Sequence, residues 1–97
     1  MKVVIKKSSR KGKKYEALVD GKTVAFGAAA YEDYTTHKDP KRKERYIARH
    51  RKTEDWTRSG VDTAGFYAKH VLWNKPTVAA SVRDLNSKYS DMQFIMG

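Results

Sequence analysis

Tyr15-Glu16-Ala17-Leu18-Val19-Asp20-Gly21-Lys22-Thr23-Val24-Ala25-Phe26 reads as a β-hairpin. Tyr15 to Val19 has the alternation of a strand with one covered face. Asp20-Gly21 is a two-residue turn of the type that takes φ > 0 at both positions and so matches the twist of the flanking strands. Thr23 to Phe26 carries the chain back. Outward from the hairpin, Ser8 to Lys13 is polar, contains Gly12 and reads as a loop. Val3-Val4-Ile5 before it reads as a further short strand. The expectation is a three-stranded antiparallel meander over residues 1–27, packing Tyr15, Ala17, Val24 and Phe26 on helices.

The rest of the chain is helical in pattern. Gly27 to Lys38 reads as a connector that Tyr31 and Tyr34 anchor on the core. Asp39-Pro40 then has the form of a helix start, an Asp N-cap followed by Pro at the first helical position, and a basic helix is expected over 39–52. Thr53 to Gly60 is polar, anchored by Trp56. Asp62 or Thr63 can cap a second helix near 63–73, apolar nearly all round and so buried on several sides. Asn74-Lys75-Pro76-Thr77 breaks the chain before a third helix near 77–89, where Val78, Val82, Leu85 and Tyr89 form one stripe. Trp73 is placed to lock the corner between these helices or, if exposed, to anchor an interface. Residues 62–90 thus form a two-helix segment and 91–97 an apolar tail. The fold class expected is α+β: a small N-terminal three-stranded antiparallel sheet followed by three helices, in a single domain over 1–97.

Charge gives the first functional signal. The 97 residues hold 21 Lys+Arg against 11 Asp+Glu, a formal net charge of +10, which points to nucleic acid, an anionic membrane surface or an acidic protein as partner. The excess is clustered. Residues 40–52 carry seven basic side chains and one acid. At 100° per residue, Lys41, Arg42, Arg45, Arg49 and Lys52 fall within about 100° of one another, opposite Tyr46, Ile47 and His50. Lys41/Arg45 and Arg45/Arg49 are like-charge pairs that cost a few tenths of a kcal/mol each. Lys41, Arg42, Arg45, Arg49, Arg51 and Lys52 are the expected contacts to an anionic partner. Trp56, Trp73 and Phe94 are the expected apolar interface anchors.

Other chemistries find little support. With no cysteine, disulfide and thiolate chemistry are excluded, as suits a reducing compartment. His37, His50 and His70 lie far apart on different elements, with no ligand spacing for a metal. Glu32-Asp33 and Glu54-Asp55 are adjacent pairs whose side chains diverge on a regular element. No P-loop, Gly-x-Gly-x-x-Gly or Gly-x-Ser-x-Gly occurs. No catalytic residue, metal or cofactor is therefore expected, and the chain reads as non-enzymatic. The longest apolar run, Ala25 to Tyr31, is too short to cross a bilayer, and the start is too weakly apolar for a signal peptide. The apolar strip of the basic helix is too thin to insert, so any membrane contact would be peripheral and electrostatic. Phosphate contacts from the helix, with Tyr31, Tyr34 and Trp56 available to stack on bases, would suit nucleic acid, although no zinc finger, heptad run or RNA-recognition signature accompanies them.

The run from Tyr31 through His37-Lys38-Asp39-Pro40-Lys41-Arg42-Lys43-Glu44-Arg45-Tyr46-Ile47 to His50, with Asp55-Trp56-Thr57, Thr63-Ala64-Gly65-Phe66 and Leu72-Trp73-Asn74-Lys75-Pro76-Thr77, resembles a family of small uncharacterised basic proteins of large DNA viruses, especially those of algae. The resemblance covers roughly residues 25 to 90 and implies a setting rather than an activity. It implies a viral protein made in the host cytoplasm or nucleus and built into the virion. Such particles hold many small proteins beneath the major capsid protein, above an internal anionic membrane and the genome. The function expected first is a minor capsid component on the inner face of an icosahedral shell, binding acidic capsid surfaces through the basic helix. The alternative is a nucleic-acid-binding protein for viral genome packaging, transcription or replication.

Overall fold

In the computed structural model, which describes all of residues 1–97, the hairpin forms as its letters dictate. Strands β1 (Lys2–Lys7), β2 (Lys13–Val19) and β3 (Lys22–Ala28) pair antiparallel in sequence order. Asp20 and Gly21 have φ of 47° and 76°, the positive values that the turn requires. Register puts Val3, Ile5, Ala17, Val19, Val24 and Phe26 on one face, all buried. Tyr15 sits at the margin of that face, stacked on Phe26 at a centroid separation of 6.2 Å.

The sheet has a fourth strand, which corrects the expected three. β4 (Gln93–Met96) lies parallel to β1, in the order β3-β2-β1-β4. The tail is therefore structural. Met92 and Phe94 alternate inward with Gln93 outward, and Phe94 faces Val3 across the pair. The Gln93 N–H donates to the Met1 carbonyl at 2.8 Å and the Gly97 N–H to that of Ile5 at 2.8 Å. On the open edge of β4, the Asn86 side-chain amide both accepts from the Phe94 N–H (2.8 Å) and donates to its carbonyl (2.9 Å). A side chain thus covers part of an edge that would otherwise offer free pairing groups.

All helices lie between β3 and β4 in sequence. The connector after β3 holds a short helix, α1 (Tyr34–His37), capped by Asp33, whose carboxylate accepts from the Thr35 N–H. α2 (Pro40–His50) is the basic helix, with Asp39 as its N-cap and Pro40 at its first position. The second expected helix divides into α3 (Ala64–Tyr67) and a π turn over Ala68–Leu72. The wider π turn carries a buried face through His70, Val71 and Leu72 after Phe66 and Tyr67, which is why the apolar letters run nearly all round. α4 (Val78–Lys88) presents Val82 and Leu85 to the core, with Val78 and Tyr89 partly buried against it. Its Thr77 N-cap accepts from the Ala80 N–H.

Two glycines let the 53–57 segment pack closely, Gly60 in the turn that follows it and Gly65 on α3. A Cβ on Gly60 would come within 2.0 Å of the Asp55 carbonyl oxygen, and one on Gly65 within 1.3 Å of the Glu54 carboxylate. Trp56 is held here within the chain's own fold. Its carbonyl oxygen is 2.9 Å from His70 Nε2 and its ring is 5.6 Å from Lys69 Nζ.

Candidate basic face and cleft of helix α2

α2 rests on the body through a short inner side. Tyr46 is its one buried residue, and it stacks on Trp73 with ring centroids 4.3 Å apart and planes 3° from parallel. His37 approaches the same indole at 5.3 Å. Trp73 thus couples α2 to the body. The corner before α4 is held by other groups: buried Asn74 donates to the His70 carbonyl and to Asp84, and the Ser81 hydroxyl accepts from the Lys75 N–H. Lys43 also belongs to the inner side. Its ammonium donates to the Asn74 carbonyl at 2.6 Å and lies 5.0 Å from the Tyr34 ring centre. Burial, with Lys75 and Lys88 nearby, lowers its pKa.

The outer side is cationic and largely unpaired. Lys41, Arg45, Arg49, Arg51 and Lys52 are exposed, and none lies within 4.0 Å of a carboxylate. Six ion pairs form across the molecule. Among the six expected contact residues only Arg42 takes part in one, at 3.5 Å from Glu32 with both side chains well solvated. Three lysine and arginine residues, Lys41 to Lys43, follow the N-cap with no acid in the first turn. They face the positive end of the helix dipole, a further cost of a few tenths of a kcal/mol each. Arg51 is the C-cap residue, and on a helical wheel it points away from the Lys41/Arg45/Lys52 row. The six residues therefore divide: Lys41, Arg45 and Lys52 form the outer row, Arg42 and Arg49 flank it, and Arg51 stands apart.

Arg42 and Arg49 also line a cleft of about 500 Å³ between α2, the end of β3 and residues 31–33. Tyr46 and Trp73 contribute aromatic walls, and Ala68 and Leu72 line it as well. Tyr31 lines it too and is 74% exposed. The Tyr31–Asp33 segment is pinned by a largely buried ion pair, Lys14 Nζ to Asp33 Oδ2 at 2.6 Å. The other Asp33 oxygen is taken by Thr35. Neither the cleft nor the role of Lys14 was foreseeable from spacing, because Lys14 and Asp33 belong to different elements and meet only through the β2–β3 pairing.

The expected anchors fall otherwise. Phe94 is 3% exposed in the core, so it is not a surface anchor; the β1–β4 pairing turns it inward. Trp56 and Trp73 are half-buried and engaged internally. No group of three or more histidine or carboxylate side chains converges as a metal site, and no helix is long and apolar enough to cross a membrane.

The chain is similar to a family of unknown function (DUF5754), whose model matches residues 3–50, the span from β1 to the end of α2. No curated protein and no solved structure matches it.

Proposed function

We propose that this chain is a non-enzymatic structural protein that docks on an acidic partner through the outer face of α2. In the viral setting implied by the resemblance of residues 25 to 90, that role is a minor capsid component on the inner face of the shell. The observation that carries the reading is the unpaired row Lys41, Arg45 and Lys52, together with Arg49. These charges repel along the helix and at its N-terminal end, and an anionic surface would relieve both costs. Lys41→Glu with Arg45→Glu tests it. The folded double variant should be lost from the shell fraction of purified particles, where the wild-type chain should be recovered at a fixed ratio to the major capsid protein. Normal incorporation of the variant would refute the proposal.

A nucleic-acid role is the second reading, favoured by the exposed Tyr31 ring beside Arg42 and Arg49. With four to five phosphates neutralised, log K for duplex binding would fall with log salt with a slope of about −4. Flat, weak binding would remove it. Recovery with the particle's DNA, released by salt, would favour it over the first.

A further inference from the structure

We propose that the cleft beneath α2 is a nucleotide site, taking one base and its phosphate from a free nucleoside monophosphate or from a single strand. This goes beyond the docking reading; it shares Arg49 with that reading but uses none of the outer row Lys41, Arg45 and Lys52. It deepens the nucleic-acid reading by naming the unit that is bound.

Three features of the cleft select this chemistry. The first is aromatic surface. Tyr31 is a large side chain held mostly in solvent on a segment that the Lys14–Asp33 pair fixes in place. Across the cleft Tyr46 and Trp73 supply an apolar wall only, because their ring faces are taken by each other at 4.3 Å, by His50 at 4.4 Å and by His37 at 5.3 Å. A planar base gains from stacking on the exposed Tyr31 ring, against that wall, whatever its sequence identity. The second is the placement of charge. Arg49 has no carboxylate partner, and Arg42 is held only by a 3.5 Å contact to solvated Glu32. Two guanidiniums on one flank suit a phosphate, which accepts paired N–H donors. The third is the acceptor. Asp33 is fully committed, but Glu32 is 57% exposed on its side chain and also lines the cleft. A carboxylate there would repel a simple aromatic acid, yet accepts hydrogen bonds from ribose hydroxyls or an exocyclic amine. A volume of about 500 Å³ lies within the range of small-ligand sites.

The test is titration of the folded full chain with adenosine 5′-monophosphate, ribose 5-phosphate, inorganic phosphate and a six-nucleotide oligoadenylate, read by calorimetry and by amide NMR shifts. The nucleotide should bind at least tenfold more tightly than ribose 5-phosphate, with shifts at Gly27, Ala28, Tyr31 and Trp73. Tyr31→Ala should weaken it about tenfold, Arg49→Glu should abolish it, and Ala28→Trp, at an exposed position on the cleft wall, should block it. Lys41→Glu should leave mononucleotide binding unchanged, so failure here is separable from failure of the docking reading. An oligonucleotide binding at least tenfold more tightly than the monomer identifies a strand as the source. Equal affinity identifies the free nucleotide. Equal binding of nucleotide and ribose 5-phosphate, shifts confined to the outer face of α2, or no binding to any probe would overturn the proposal.

Discussion

His70 makes the clearest test at the level of one residue. Its Nε2 pairs with the Trp56 carbonyl while Nδ1 is buried with no partner. The neutral ring with the proton on Nε2 satisfies the first contact. A second proton would place a charged N–H in an apolar surround of Phe66 and Tyr89, at ring distances of 4.4 and 6.2 Å. Burial pushes its pKa down to about 4, with the bond to Trp56 opposing and Lys69 and Lys88 reinforcing the shift. Above pH ~6.5 the ring is neutral in both folded and unfolded chains, so this stability is intact. As the pH falls from there to about 4, the unfolded chain takes up the proton first, and stability should drop by about 3 kcal/mol in total. Urea midpoints should be level from pH 8 to 7 and decline below 6.5. His70→Phe should flatten that decline, and a wild-type midpoint unchanged between pH 7 and 4.5 would contradict the account. Gly60 offers a second test. Its missing Cβ faces a backbone carbonyl that cannot swing aside, so Gly60→Ala should cost about 1–3 kcal/mol. Gly65→Ala should cost less, because it meets the mobile end of Glu54. Thermal melts of the two variants rank them directly.

At the level of elements, α2 stands out because its charge and its docking are at odds. Lys41→Glu would replace a repulsive pair with Arg45 by an attractive one and put an acid at the helix N-terminus. It should stabilise the fold by about 0.5–1 kcal/mol while weakening any anionic partner. A raised melting temperature with reduced binding is the expected signature. Tyr46→Ala removes the ring that stacks on Trp73 and should release the helix selectively. Amide exchange would then rise across 40–50 while β1 to β3 stay protected. Much of this element was legible beforehand. Asp39, Pro40 and the spacing of Lys41, Arg45 and Lys52 are local signals, and local signals set local structure. The hairpin was legible for the same reason, since Asp20-Gly21 dictates its own geometry. The cleft was not. It depends on Lys14 meeting Asp33 and on Trp73 meeting Tyr46, contacts that bring together residues 19 and 27 positions apart, which no periodicity encodes.

For the whole molecule, the decisive pairing joins the two ends of the sequence. β4 escaped the sequence reading because four residues carry too little pattern to mark a strand, and its partner lies about ninety positions away. Its weight is nonetheless large. Phe94→Ala should cost about 3–5 kcal/mol, a large share of the 5–15 kcal/mol typical of a domain of this kind. Loss of a cooperative melt near 37 °C is the expected result. A variant that unfolds like the wild-type chain would mean that β4 contributes little to the core.

That pairing also imposes an order of events on synthesis. β1, β2 and β3 leave the ribosome first and can zip together at once, because their contacts are near in sequence. The β1 edge of that meander then stays unpaired until residues 93–96 emerge behind the whole helical layer. A nascent chain whose residues 93–96 have yet to emerge is therefore a meander with one unpaired edge, a form apt to capture a neighbour. Slow decoding of the stretch that encodes residues 88–96 should raise aggregation far more than an equal delay at the hairpin.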